Sequence, residues 1–366
     1  MPAEDFNFEA SLEDALREAL RERGHVNILI AGRTGVGKST LINAVFQGNF
    51  ATTGQGRPVT QNTREIRKED IPLSIFDTRG LEMADFAKTL EALKSLVSER
   101  ARSSDANQHI HVAWICIAED SRRVERAEEE LVKMLADRNI PIIAVITKAR
   151  ADQGFRNKVL EIIPLVSNAV RVRAIKEELD EGIVLPPMNL KELVELTMHV
   201  VPEGRRRAFA AAQKVDIELK KTKSHRIVVR SAAAAAAMAT VPIPFSDAVG
   251  IVPILFAMLA GISATFGLSI DQAFLGVLIG TIIGSAVSGM QIGKTIMANL
   301  LKMIPGAGTI GGGAISAATA AALITTVGEA YIAVLANLFI RNNGEPPTSE
   351  EVVEAFKTRL ALPGGK

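Results

Sequence analysis

Residues 26–45, VNILIAGRTGVGKSTLINAV, constrain the fold of this chain more than any other stretch. Val26 to Ala31 is an apolar, largely β-branched run and reads as a buried strand. The pattern Gly32-x-x-x-x-Gly37-Lys38-Ser39 follows, and then Thr40, Leu41, Ile42 and Val45 recur at helical spacing. Strand, glycine loop and helix in that order are the context a phosphate-binding loop requires. Glycines let the main chain wrap around phosphates with its N–H groups turned inward, and the start of the helix adds its positive dipole end. The segment Gly32, Thr34, Gly35, Val36, Gly37, Lys38, Ser39 and Thr40 is therefore expected to hold a nucleoside triphosphate. Lys38 would reach the β- and γ-phosphates, and the Ser39 hydroxyl would ligate Mg²⁺.

A second motif agrees with the first. In LSIFDTRGLE (73–82) an apolar strand from Ile71 to Phe76 ends in Asp77-Thr78-Arg79-Gly80. Asp77 at a strand end can hold Mg²⁺ through water, and Gly80 can lend its N–H to the γ-phosphate. Between the motifs, GRPVTQNTREIR (56–67) is polar and rich in turn formers, which reads as a mobile switch. It offers two threonines for the metal, Thr60 and Thr63. Thr63 is favoured because Thr-Arg leads directly into the alternating REIRKED, which reads as an edge strand. Apolar runs at Ile110–Ala118 and Ile140–Thr147, separated by the charged helix RRVERAEEELVKMLADRN, supply further strands. This alternation calls for a mostly parallel, doubly wound α/β sheet.

With these motifs in order, residues 26 to about 200 resemble a GTPase of the Era-like or septin-like branch. The resemblance implies guanine nucleotides (GTP and GDP) with Mg²⁺, and a base site built from Thr147, Lys148 and an acid two residues on. Position 150 is Arg150, however, and the next acid is Asp152. Either Asp152 swings in across a two-residue insertion, or Arg150 faces solvent and guanine preference is weak. Arg173-Ala174 resembles the last base motif, where the N–H of Ala174 would meet the guanine O6, although Arg173 replaces the usual serine. Ras-like switches place Gln after the Asp-x-x-Gly glycine, but Leu81 stands there, so slow intrinsic hydrolysis is expected. Arg33 and Arg79 are the candidates to supply charge to their own or a facing nucleotide in a homodimer. Gly35 stands where potassium-stimulated relatives carry Asn, so no potassium site is expected.

The second half of the chain has a different composition. Only 7 charged residues fall between Ser231 and Glu345, and uncharged runs cover 231–246, 248–270, 272–293 and 303–328. Three of them reach the roughly 20 residues that a membrane-crossing helix needs. Gly276, Gly280 and Gly284 lie four apart, as in close helix–helix approach. Ahead of this segment, Arg205 to Arg230 holds nine basic residues against Asp216 and Glu218. That strip suits a solvated connector or acidic lipid headgroups, and with Phe209 as its sole aromatic it makes nucleic acid an unlikely partner. VPIPFSDAVGIVPILFAMLAGISATFGL (241–268) resembles the helical domain of Era-like proteins of the YcjF kind. The overall plan is similar to that of the immunity-related GTPases, which implies action at membranes. At the other end, Leu12, Leu16 and Leu20 recur every four residues up to Gly24, which marks an amphipathic helix. Cys116 is the one cysteine, so no intrachain disulfide can form, and a reducing compartment is expected.

The expected organisation is an N-terminal helix (1–25), a GTPase domain (26–204), a basic connector (205–230), a hydrophobic helical domain (231–345) and a charged tail (346–366). The function expected from it is a GTP-hydrolysing switch on the cytoplasmic side of a membrane. A nucleotide-controlled scaffold with negligible turnover and an Era-like RNA assembly factor are the alternatives.

Overall fold

The structure, a computed structural model, describes residues 8–53, 55–60, 63–68, 70–78, 86–239, 247–283 and 316–361. It divides into two units. One is Gly24–Asp216; the other joins Met1–Arg23 to Ile217–Lys366. The division at 216/217 falls inside the basic strip expected to be a separate connector.

The α/β unit is built on a seven-stranded sheet. In chain order its strands are β1 (Val26–Ala31), β2 (Gln55–Thr60), β3 (Thr63–Arg67), β4 (Leu73–Thr78), β5 (Val112–Ala118), β6 (Ile142–Thr147) and β7 (Asn168–Arg171). Their spatial order is β2-β3-β4-β1-β5-β6-β7. The five strands from β4 to β7 are parallel, and β3 is antiparallel to both β4 and β2. A mostly parallel sheet covered on both faces should carry continuous apolar strands, and β1, β4, β5 and β6 are buried at every residue.

The segment 56–67, expected as a mobile switch, holds strands β2 and β3, in which Thr60 pairs with Thr63. β3 is consequently the second strand of the sheet rather than its edge. Pro58, which cannot donate to a ladder, sits on the true edge strand.

Helices α4 (Phe86–Ala101), α5 (Arg126–Ala136) and α6 (Phe155–Ile162) pack one face of the sheet through Leu93, Leu131 and Val159. On the other face lie α2 (Lys38–Val45), α7 (Leu190–Val200) and α8 (Arg206–Ala212), after the short α3 (Phe50–Thr53). There Phe46 stacks on Trp114 at 5.6 Å and meets Phe209 edge-on at 6.0 Å. The buried Trp114 indole donates to Thr197 Oγ1 at 3.2 Å, so the one polar atom of this large ring is satisfied. Ala208 to Ala212 of α8 are buried. The front of the basic strip thus belongs to the core of this unit, not to a connector.

The second unit is helical: α1 (Phe8–Arg23), α9 (Ile217–Met238), α10 (Asp247–Phe266), α11 (Gln272–Ile283), α12 (Ala317–Arg341) and α13 (Ser349–Ala361). The amphipathic N-terminal helix is present and lies in this unit, with Leu12, Ala15 and Ala19 in the same buried cluster as Leu255 and Leu259 of α10. The tail helix α13 also docks here through Val352 and Phe356, the latter ring 5.1 Å from Tyr331.

Among the described residues one helix, α12, is long and apolar enough to cross a membrane, and most of its apolar stretch is buried inside the unit. In the run 248–270 the helix α10 stops at Phe266, with Gly267 at φ 81 after it, while much of the other two runs lies outside the described residues. Among the described residues, the close helix approach expected at Gly276 and Gly280 is not seen there. A Cβ at Gly276 would meet Leu12 at 3.9 Å, and at Gly280 nothing within 4 Å among the described residues. Gly284 lies outside them. The tight crossing is at Gly328 of α12, where a Cβ would sit 2.6 Å from Val228 and 2.9 Å from Met258.

Candidate nucleotide site

Parallel strands with right-handed crossovers bring their carboxyl ends to one edge of a sheet, where α/β folds bind ligands. Here β1, β4, β5 and β6 all end at that edge. β1 runs into the glycine loop. Gly35 (φ 79) and Gly37 (φ 95) hold backbone conformations that L side chains rarely adopt. Gly32 is required for a second reason: a Cβ there would lie 2.4 Å from the Cys116 carbonyl of β5. The loop ends with Gly37 at the N-cap of α2, so the helix begins at Lys38. Lys38 is buried, and its Nζ donates to the Gly32 and Arg33 carbonyls at 2.6 and 3.0 Å. This places an ammonium in the curl of the loop, while Ser39 and Thr40 are exposed at the helix start.

Asp77 is buried beside this loop because its register partner in β1 is Ile30, two residues before Gly32. On the far side of β4, Thr63 pairs with Thr78, and their hydroxyls are 3.5 Å apart. The Thr60 hydroxyl is buried without a hydrogen-bond partner. Arg79, Gly80 and Leu81 lie outside the described residues.

The base side of the site differs from expectation. A cleft of about 250 Å³ is lined by Arg33, Thr34, Gly35 and Val36 of the loop and by Ala118, Asp120 and Lys148 across it, among others. Thr147 does not line it. Its hydroxyl donates to the Val36 carbonyl at 2.6 Å, so it shapes the loop instead. Lys148, at φ 53, turns its ammonium into the cleft, 3.9 Å from Asp120. Asp152 is turned elsewhere: its Oδ1 accepts from the Arg156 main chain at 2.9 Å and faces Arg171 at 3.4 Å. The Arg150 guanidinium is ion-paired with Glu177. Arg173 is buried and donates to the Ala149 and Pro186 carbonyls, leaving Ala174 half-buried in the loop beyond β7.

Glu119 organises this side. It is 1% exposed and accepts from the amides of Arg150 and Ala151 and from the Arg171 guanidinium. Burial alone would raise its pKa, but these donors outweigh burial and hold it below the ordinary value.

Three further acids and bases entered the site unannounced. Arg33 is 3.1 Å from Glu125, which is also 2.7 Å from Arg123. Glu128, in the first turn of α5, accepts from the Glu125 amide at 2.9 Å, and burial pushes its carboxyl up to about 7. The available sequence signal was position: Glu119 and Asp120 directly follow β5, on the strand edge that carries the loop.

Residues 27–148 match the family described as 50S ribosome-binding GTPase (MMR_HSR1), and residues 205–361 match a domain of unknown function, DUF697. The front unit is an Era-like P-loop GTPase domain. This GTPase domain is 26% identical over 185 residues to GTPase Era of Clostridium kluyveri, which covers 48% of this chain and 56% of that one. It is 30% identical over 142 residues to the tRNA modification GTPase MnmE of Burkholderia ambifaria, covering 37% and 28%. The chain thus spans about half, or less, of the length of these relatives. A crystal structure of Aquifex aeolicus Era overlaps 57% of this chain and 67% of that one at 20% identity, with a TM-score of 0.33.

Proposed function

We propose that the chain is a GTP-binding and GTP-hydrolysing switch whose helical unit works at the cytoplasmic side of a membrane. One observation carries the nucleotide part: a glycine loop closed by a buried lysine, with Asp77 in the adjacent register position. Ser39, Thr63 and Asp77 form an all-oxygen donor set, which fits a hard divalent cation such as Mg²⁺. The metal would neutralise phosphate charge when bound, and Lys38 would hold the β- and γ-oxygens in place.

Arg33 supports the view that hydrolysis is completed by a partner or a second copy. In this structure Glu125 holds it, so a rearrangement has to free it before it can meet phosphate charge. Support for the membrane part is compositional. It consists of the sparsely charged 231–345 segment, the apolar α12 and the basic residues of α9, including exposed Arg226 and Arg230.

The test has two arms. The full chain should bind GTP at least tenfold more tightly than ATP, and Lys38→Ala should abolish binding; a tenfold preference for ATP would overturn the guanine reading. Flotation with anionic vesicles in GTP, GDP and no nucleotide should bring the chain up with lipid, and single-turnover hydrolysis should rise in the same tubes. Phosphate release that stays undetectable in every condition would favour a scaffold without turnover.

A further inference from the structure

We propose that the carboxylate reading the purine base is Asp120, supplied by the end of β5, and that Asp152 has been reassigned to holding the loop. The inference rests on the guanine-nucleotide reading above and names the residue that gives it specificity.

The loop after β6 offers the cleft no acid. Its residues Arg150 and Ala151 donate their amides to buried Glu119, which folds this segment back against β5. Arg122 adds hydrogen bonds to the carbonyls of Ala151 and Asp152. The Asp152 carboxylate then serves α6, accepting from the Arg156 amide, and faces Arg171, which also bonds Glu119. Arg150, at the position the family gives to the reader, spends its side chain on Glu177.

Asp120 is in the opposite situation. It follows Glu119 directly, so the same buried anchor that retracts Asp152 fixes the backbone from which Asp120 projects. It lines the cleft together with Lys148 and loop residues 33–36, its side chain is 65% exposed, and the Lys148 ammonium is 3.9 Å away. Lysine and carboxylate are therefore side by side on the wall facing the glycine loop, though the acid comes from a neighbouring strand.

The chemistry selects guanine. Its N1–H and exocyclic amine present two adjacent donors, and an ionised carboxylate offers only acceptors. Adenine presents an acceptor at N1, which a carboxylate repels. An amide at the same position would instead favour xanthine, whose C2 oxygen accepts a hydrogen bond.

The experiment measures binding of GDP, xanthosine diphosphate and ADP to the full chain and to its Asp120→Asn and Asp152→Asn variants, with a thermal melt of each. Asp120→Asn should weaken GDP at least tenfold, strengthen xanthosine diphosphate at least tenfold and leave the melt unchanged, since Asp120 is exposed. Asp152→Asn should leave GDP within threefold. Unchanged GDP affinity in Asp120→Asn would overturn the proposal, as would the xanthine switch appearing in Asp152→Asn. Equal weakening of GDP and xanthosine diphosphate in Asp120→Asn would also overturn it, because Asp120 would then only position Lys148. A wild-type chain that binds no GDP would remove the guanine reading itself, a result distinct from all of these.

Discussion

Thr147 and Val36 are joined across the site by a 2.6 Å hydrogen bond from hydroxyl to carbonyl. The bond ties the last residue of β6 to the middle of the glycine loop. Thr147→Val keeps the shape and removes the donor, leaving a buried carbonyl unsatisfied at a cost of about 1–3 kcal/mol. Because the loss falls on the loop, the expected result is a lower melting temperature together with several-fold weaker nucleotide binding. Unchanged binding in a destabilised variant would show that the loop keeps its shape alone.

Gly32→Ala should abolish nucleotide binding. Its Cβ would sit 2.4 Å from a main-chain oxygen of β5, and a strand cannot yield as a flexible side chain can. Gly35→Ala meets nothing within 4 Å among the described residues and carries the strain of φ 79, of order 1–3 kcal/mol. Isothermal titration with GDP separates them: no detectable heat for the first, weakened binding for the second.

In the helical unit, two glycines should respond in opposite directions. Gly328→Ala forces a methyl against Val228 and Met258, and overpacking of this kind costs about 1–3 kcal/mol. Gly280→Ala meets nothing within 4 Å among the described residues and should gain up to about 1 kcal/mol of helix propensity. Chemical denaturation of the two variants measures both.

Acid should destabilise the chain through His111. Its Nδ1 accepts from the Asn27 amide and its Nε2 donates to the Ala106 carbonyl, each at 2.9 Å. Burial pushes the imidazole down to about 4. The unfolded chain therefore takes up this proton first as pH falls, since its histidine titrates near 6.5. The stabilising contribution is complete above about 6.5 and is lost on descent toward 4, by roughly 3 kcal/mol at most. In His111→Gln this part of the pH dependence should flatten, as urea midpoints between pH 4 and 7.5 would show.

The phosphate side was legible in the sequence because its chemistry leaves few choices. Gly32, Gly37, Lys38 and Asp77 are fixed in spacing by the chain's path through strand, loop and helix. β2 was not legible, since Gln55–Thr60 has neither an apolar run nor clear alternation and joins the sheet as an edge strand paired with β3. The orientation of Asp152 was not legible, because it follows from the grip of Glu119 on the amides of Arg150 and Ala151, which is a long-range fact. Gly328 was not legible either: no glycine spacing marks it, and only the packing of α9, α10 and α12 makes it a tight crossing among the described residues.

The place of α1 has a bearing on how the protein is made. Its apolar stripe emerges from the ribosome before the helices that receive it, which follow only after all of Gly24–Asp216. At ~5–20 residues per second this is a wait on the order of ten seconds or more, during which the α/β unit can fold by itself. Leu12, Ala15 and Ala19 spend that interval apart from Leu255 and Leu259, so an apolar stripe stays uncovered until α10 has been made.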